Sequence, residues 1–173
     1  VPHIMLVNSH NGRTKVRLHA GFYRFICANS LVIGNDMFNA EISHLGDAVS
    51  EALMFAEDMT TRLTETRRVI ARWSQIELSK TKAMEFAVKA GELRFGPSAG
   101  AYSAETLLEA RRSEDEGLNL WRVFSRVQEN TVKGGMKGQN ANGRSLTSRA
   151  LTAVQPNIAF NKALWNLAEE FAQ

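Results

Sequence analysis

The chain has one cysteine, three prolines and two tyrosines in 173 residues. A lone Cys27 excludes an intramolecular disulfide framework and a cysteine-rich zinc site, which fits a reducing, cytoplasmic setting. It stands in the apolar run Phe25-Ile26-Cys27, where nothing lowers a thiol pKa, and so reads as a small core hydrophobe. No uninterrupted apolar segment approaches the about 20 residues that a bilayer span needs, and the first residues lack a signal-peptide pattern, so no membrane partner is expected. The chain has no initiator Met and opens directly on Ile4-Met5-Leu6-Val7, from which an upstream segment of a longer protein is expected.

Catalytic signatures are also missing. There is no strand-linked Gly-x-x-x-x-Gly-Lys-Ser/Thr phosphate loop and no His-Glu-x-x-His pair. His3, His10, His19 and His44 share the N-terminal region without metal-ligand spacing and read as surface or turn residues. Ser9 and His10 lack a locatable orienting group or oxyanion site. No catalytic residue, metal or cofactor is therefore assigned, and an enzyme of unknown reaction is the third-ranked reading.

Acidic residues are scarce in one stretch. From Trp121 to Ala168 seven basic residues (Arg122, Arg126, Lys133, Lys137, Arg144, Arg149 and Lys162) face the single acid Glu129, although the whole chain carries a net charge of only +3. Such local asymmetry attracts polyanions.

What is present organises the chain as one α+β domain. Ile4–Ser9 and Lys15–His19 are β-favouring runs separated by His10-Asn11-Gly12-Arg13, and Asn-Gly between two such runs signals a hairpin. Phe22–Cys27 and Leu31–Ile33 read as further strands, broken at Ala28-Asn29-Ser30, so that residues 1–44 form a small antiparallel sheet, the alternative being a short helix over Gly21–Cys27. Residues 45–95 read as long helices. Leu45, Val49, Leu53, Met59 and Leu63 recur at helical spacing, Val69, Ile70, Trp73 and Ile76 extend the stripe, and a second helix covers Ser79–Leu93. Gly96-Pro97-Ser98-Ala99-Gly100 is the best internal boundary. Residues 101–173 read as a helical part: a short helix near Ser103–Ala110, one over Leu118–Lys133, a polar, basic, glycine-rich loop from Gly134 to Ser145, and a last helix over Asn157–Phe171 started by Pro156.

On the Leu118–Lys133 helix, Leu120, Phe124 and Val127 make an apolar face, while Arg122, Arg126, Asn130 and Lys133 follow at spacings of three or four. Outward, that row can track phosphates and continue into Lys137, Arg144 and Arg149, where glycines let backbone N–H groups approach an anion. Inward, Arg126, Gln128, Glu129 and Asn130 would each need a partner, which Arg111, Arg112, Glu114 and Asp115 can supply. Ser113 or Asp115 is the expected cap of this helix. Trp121 and Trp165 are expected in helix–helix contacts rather than in base stacking.

Several blocks in order carry a resemblance that spans the chain. They are Asn8-Ser9-His10-Asn11-Gly12, Phe25 to Gly34, Arg111-Arg112-x-Glu114-Asp115, Leu120-Trp121-x-x-x-x-Arg126-Val127-Gln128-Glu129-Asn130, Gly134-Gly135 and Asn161-x-Ala163-Leu164-Trp165. Together they resemble the phage/plasmid-related proteins grouped as domain-of-unknown-function family 932. The resemblance implies a mobile-element setting and no defined chemistry. The leading expectation is a non-enzymatic protein that binds DNA or RNA and aids recombination or maintenance of element DNA. Arg122, Arg126, Lys133, Lys137, Arg144 and Arg149 would contact phosphates, extended by Arg13, Lys15 and Arg17 of the hairpin. The rival expectation is a protein-interaction module acting on a host defence component.

Overall fold

The computed structural model describes the backbone of residues 2–7, 16–24, 29–32 and 39–42, and backbone with side chains for Met54 and residues 64–173. The chain forms two compact units, Val1–Val69 and Ile70–Gln173.

In the first unit, strand β2 (Val16–Arg24) is the centre of an antiparallel sheet. Strand β1 (Pro2–Val7) runs along one edge, from Val7 opposite Arg17 to Pro2 opposite Phe22. Strands β3 (Asn29–Val32) and β4 (Asn39–Ile42) share the other edge, pairing with Gly21–Arg24 and Val16–His19 respectively. Two sequence expectations change here. Residues 16–19 and 22–24 of the two expected runs are parts of one strand through Ala20-Gly21, and Asn29-Ser30 begins a strand rather than breaking one. Gly21 is paired on both sides, with His3 and Val32, so ladder bonds to two neighbours outweigh its weak strand propensity. The Asn11-Gly12 turn, Cys27 and, apart from the helical Met54, the helix expected over 45–63 lie outside the described residues.

The described helices begin with α1, residues 64–73, and α2 (Lys80–Phe95), capped by Ser79, whose hydroxyl accepts from the Lys82 N–H. A 3-10 turn, Gly96–Ala101, leads to the short α3 (Ala104–Leu108), then to α4 (Leu120–Lys133), and the chain closes with α5 (Val154–Phe171). Trp73, fully buried, joins α1 to α4 and α5: its ring centroid lies 4.2 Å from Trp165 and 5.4 Å from Phe124, and Trp121 stacks on Phe124 at 5.6 Å. Both tryptophans expected in helix–helix contacts are found there. The buried face of α2 is mostly small, with Ala83, Ala87, Ala90 and Gly91 beside Phe86, which lets neighbouring helices approach closely.

Residues 76–78 pair with 118–120 through Leu78 N–H to Leu118 O (2.9 Å) and Leu120 N–H to Ile76 O (2.8 Å). This bridge holds Asn119 at the head of α4, where its side-chain oxygen accepts from the Arg122 N–H at 2.9 Å. Asn119 is thus the cap in place of Ser113 or Asp115; Asp115 is buried and committed elsewhere.

The stretch expected as a loop from Gly134 to Ser145 contains a β-hairpin, β5 (Lys137–Gln139) and β6 (Ser145–Thr147). Its turn carries Asn142-Gly143, the same dipeptide that signals the N-terminal hairpin. Gly143 has φ of 72°, and the Asn140 side chain accepts from the N–H groups of Asn142 and Arg144. The last helix starts at Val154, three residues before the expected Asn157, so Pro156 lies in its first turn, where a missing N–H costs nothing.

Gly134 ends α4 with φ of 69° and packs against backbone: an added Cβ would lie 2.6 Å from Ala150 N and from Arg149 C. Gly143 has a similar φ but open space around it. Substitution Gly134→Ala is expected to cost about 3 kcal/mol, from backbone strain plus overlap, and Gly143→Ala about 1 kcal/mol from strain alone. Urea melts monitored by the tryptophan cluster measure both.

Candidate functional site

Helix α4 is buried from Val123 to Val132, including Arg126, Gln128, Glu129 and Asn130. The polar row therefore turns inward, and each member meets a specific partner. Asn130, 3% exposed, is a junction: its amide nitrogen donates to the carbonyls of Leu107 (3.0 Å) and Glu109 (2.9 Å), and its oxygen accepts from Arg111 Nε at 2.7 Å. One side chain thereby satisfies carbonyls at the end of α3 that the short helix leaves open. Gln128 donates to Asn161 Oδ1 at 3.1 Å, Asn161 donates to the Asn157 oxygens, and Asn157 donates to Leu151 O at 3.0 Å, which carries an amide chain from α4 along α5. Arg126, only 8% exposed, donates to Gly117 O at 2.7 Å, and burial lowers its pKa.

Glu129 is the charged centre. Arg112 pairs with its carboxylate and also with Asp115 Oδ2 at 3.1 Å, while Lys133 Nζ lies 2.7 Å from Glu129 Oε1. Glu114 is exposed and makes none of these bonds. The carbonyls at the C-terminus of α4 are met in turn: Thr131 O by Arg94 Nε (3.1 Å), Val132 O by the Leu151 N–H (2.8 Å), and Gly134 O by Arg111 Nη2 (2.9 Å). Arg94 also donates to Arg149 O, fastening the segment after β6 to α2. Arg94, Asn157 and Asn161 have no place in the sequence-based network, because the long-range bonds of Arg94 to the Thr131 and Arg149 carbonyls and of Asn161 to Gln128 carry no spacing signal.

The candidate phosphate contacts consequently separate. Arg126 is withdrawn into the interior and Lys133 is bound to Glu129. Arg122, Lys137, Arg144 and Arg149 are exposed. Lys137 and Arg144 belong to the hairpin beyond the C-terminus of α4, whereas Arg122 sits at its N-terminus, about 20 Å away at 1.5 Å per residue. Arg149 follows β6 on the segment that passes Gly134. Arg17 stands in β2, in register with Val7 and Glu41; Arg13 and Lys15 lie outside the described residues. Among the described residues no group of three His, Cys, Asp or Glu side chains is placed to hold a metal, and no helix is long and apolar enough to cross a membrane.

The exposed hairpin face borders an open groove of about 860 Å³, whose opposite wall is the 3-10 turn at Gly100-Ala101 with Ser103 and Thr106. A second hollow of about 390 Å³ adjoins it, lined by Glu109, Arg111, Asn130 and Gly134. Gly138 packs directly against the 3-10 turn, since a Cβ there would lie 2.1 Å from the Ala101 carbonyl oxygen.

Burial pushes the Glu129 carboxyl up, but the hydrogen bonds and charges of Arg112 and Lys133 more than offset it, leaving the group below its ordinary value. A folded pKa below the unfolded value of about 4.3 gives stability that is complete above that value and is lost as pH falls through the folded one. Glu129→Gln is therefore expected to cost about 3 kcal/mol at neutral pH by leaving Lys133 without a counter-charge and Arg112 with Asp115 alone. The gap from wild type should narrow as pH drops below about 4, which urea melts at neutral and acid pH measure.

Residues 1–165 match the family model described as "Domain of unknown function (DUF932)". Two proteins of Escherichia coli (strain K12), UPF0380 protein YfjQ and UPF0380 protein YafZ, are each 31% identical over 169 residues, which is 98% of this chain and 62% of theirs. The chain thus spans about three-fifths of the length of these curated relatives. No solved structure matches it. With the family model covering almost the whole sequence, the chain belongs to the DUF932 family.

Proposed function

We propose that this chain binds nucleic acid, DNA or RNA, through the exposed cations of its C-terminal hairpin region, Lys137, Arg144 and Arg149, with Arg122 as a separate outlying contact. The observation that carries this reading is the fate of Glu129. It is the one acid between Trp121 and Ala168, and it is buried and paired with Arg112 and Lys133. Every exposed ionised side chain of that stretch is consequently a cation. The hairpin projects two of them from a short, twisted ribbon, with Glu109 the acid beside the smaller hollow. Such contacts are electrostatic and independent of sequence, and so act by releasing counter-ions. The phage or plasmid setting implied by the residue blocks makes element DNA or its transcripts the natural partner, with a role in recombination or maintenance. The reading is non-enzymatic, since it uses charge and shape alone.

Binding to labelled oligonucleotides is expected to weaken steeply as salt rises. Lys137→Gln together with Arg144→Gln should lower the magnitude of the log-affinity against log-salt slope by about 2, one for each phosphate no longer neutralised. A salt-independent affinity, or a slope unchanged in the double variant, contradicts the proposal.

A further inference from the structure

We infer that the hollow of about 390 Å³ between the end of α3 and the end of α4 takes a single unpaired guanine base, read by Arg111 and Glu109; this rests on the nucleic-acid reading above and names what the bound strand places there. The observation that carries it is that one buried side chain fixes both residues. Asn130 donates to the Glu109 carbonyl at 2.9 Å and accepts from Arg111 Nε at 2.7 Å. Gly134 O takes Arg111 Nη2 at 2.9 Å, so the guanidinium is held by two partners along its Nε/Nη2 edge. The backbone that bears the acid and the guanidinium itself are thus positioned around a common anchor before any ligand arrives.

What is left unpaired defines the ligand. The second fork of Arg111, along Nη1 and Nη2, has no partner among the described residues, and neither has the Glu109 carboxylate. The two side chains do not pair with each other, although both are exposed and both line the hollow. A lone phosphate suits the fork, but the carboxylate beside it opposes a second negative charge. A neutral group that offers adjacent acceptors to the guanidinium and adjacent donors to the carboxylate satisfies both. Guanine carries both sets: O6 and N7 accept from an arginine fork, while N1–H and the N2 amino group donate to a carboxylate. Adenine sets a donor beside N7, thymine and uracil have one donor between two acceptors, and cytosine gives a carboxylate only its amino group. Because pairing in a duplex consumes N1–H and the amino group, the site requires an unpaired base.

The remaining walls suit a flat ring. Met136 and Gly134, both buried, line the hollow with thioether and backbone surface. Lys137, exposed, borders it as well, with Nζ 3.2 Å from Thr147 Oγ1 on the outer face of the hairpin, where the phosphate of the same nucleotide can meet it. The volume of about 390 Å³ stands at the low end of small-ligand sites, about 300–1,000 Å³, which admits a nucleoside and excludes a duplex.

The test uses the whole chain and fluorescence anisotropy with short labelled single strands of equal length, oligo(dT) with and without one central replacement. A central guanine is expected to raise affinity about tenfold over oligo(dT) and over a central adenine at moderate salt. Hypoxanthine, which lacks the N2 amino group, and 7-deazaguanine, which lacks the N7 acceptor, should each bind roughly threefold more weakly than guanine. The second base probes Arg111 from the ligand side and leaves its bonds to Asn130 and Gly134 intact. Glu109→Gln should abolish the preference for guanine while oligo(dT) binds at least as tightly as to the wild type, with an unchanged melting temperature as the fold control. Equal affinity for central guanine, adenine and thymine, or a guanine preference that persists in Glu109→Gln, overturns the guanine assignment while nucleic-acid binding itself stands. Failure of the wild-type chain to bind any of the strands at low salt overturns the underlying reading as well.

Discussion

Polar side chains on a helix buried on nearly every side are costly without partners, and α4 carries four within five residues, Arg126, Gln128, Glu129 and Asn130, each with at least one partner, although the buried Ser125 hydroxyl and Arg126 Nε have none among the described residues. The rest of the C-terminal unit is arranged around meeting that demand. Asn130 draws in the end of α3 and Arg111; Glu129 draws in Arg112 and Lys133; Gln128 reaches Asn161 on α5. None of these bonds is worth much by itself against water. Leaving any one unmade in a dry interior is costly, and that asymmetry gives the network its power to specify one arrangement.

The same network shapes the surface. By binding its only acid internally, the stretch from Trp121 to Ala168 shows solvent a face of one sign, although the whole chain is only mildly basic. The internal bonds also end α4 firmly. Arg94, Arg111 and the Leu151 N–H take its last carbonyls, and the segment 148–151 is held close enough to Gly134 that no Cβ fits between them. The hairpin that carries Lys137 and Arg144 leaves from this anchored point. Structural and candidate binding residues are therefore neighbours with distinct tasks: one set closes the interior, and the other is presented by what that closure fixes.

Much of the helical half was legible from periodicity. The α2 and α4 boundaries fall within two or three residues of the apolar patterns, and the tryptophans lie in the helix contacts their context implies. The β5–β6 hairpin was missed because its strands are three residues long and polar, with Gly138 and Leu146 the only half-buried pair. Alternation cannot be read from so little, and the available clue was Asn142-Gly143. The cap of α4 was misplaced for a related reason. Asn119 is selected by the backbone bridge to residues 76–78, a partner far away in sequence, whereas Ser113 and Asp115 looked suitable by local rules alone.

By itself the sequence determined that the segments around 79–93 and 118–133 become helices, where charge of one sign accumulates, and that Arg126, Gln128, Glu129 and Asn130 form a row needing either water or partners. Periodicity and composition are local quantities, and a single chain displays them in full. The direction in which that row faces was decided only by tertiary structure, because an amphipathic helix with a polar face fits equally well against solvent or against a polar wall. The wall is built from Arg111, Arg112, Asn161 and the carbonyls of Leu107 and Glu109, which lie 17 to 33 residues from their partners in the row and meet them only once the helices pack.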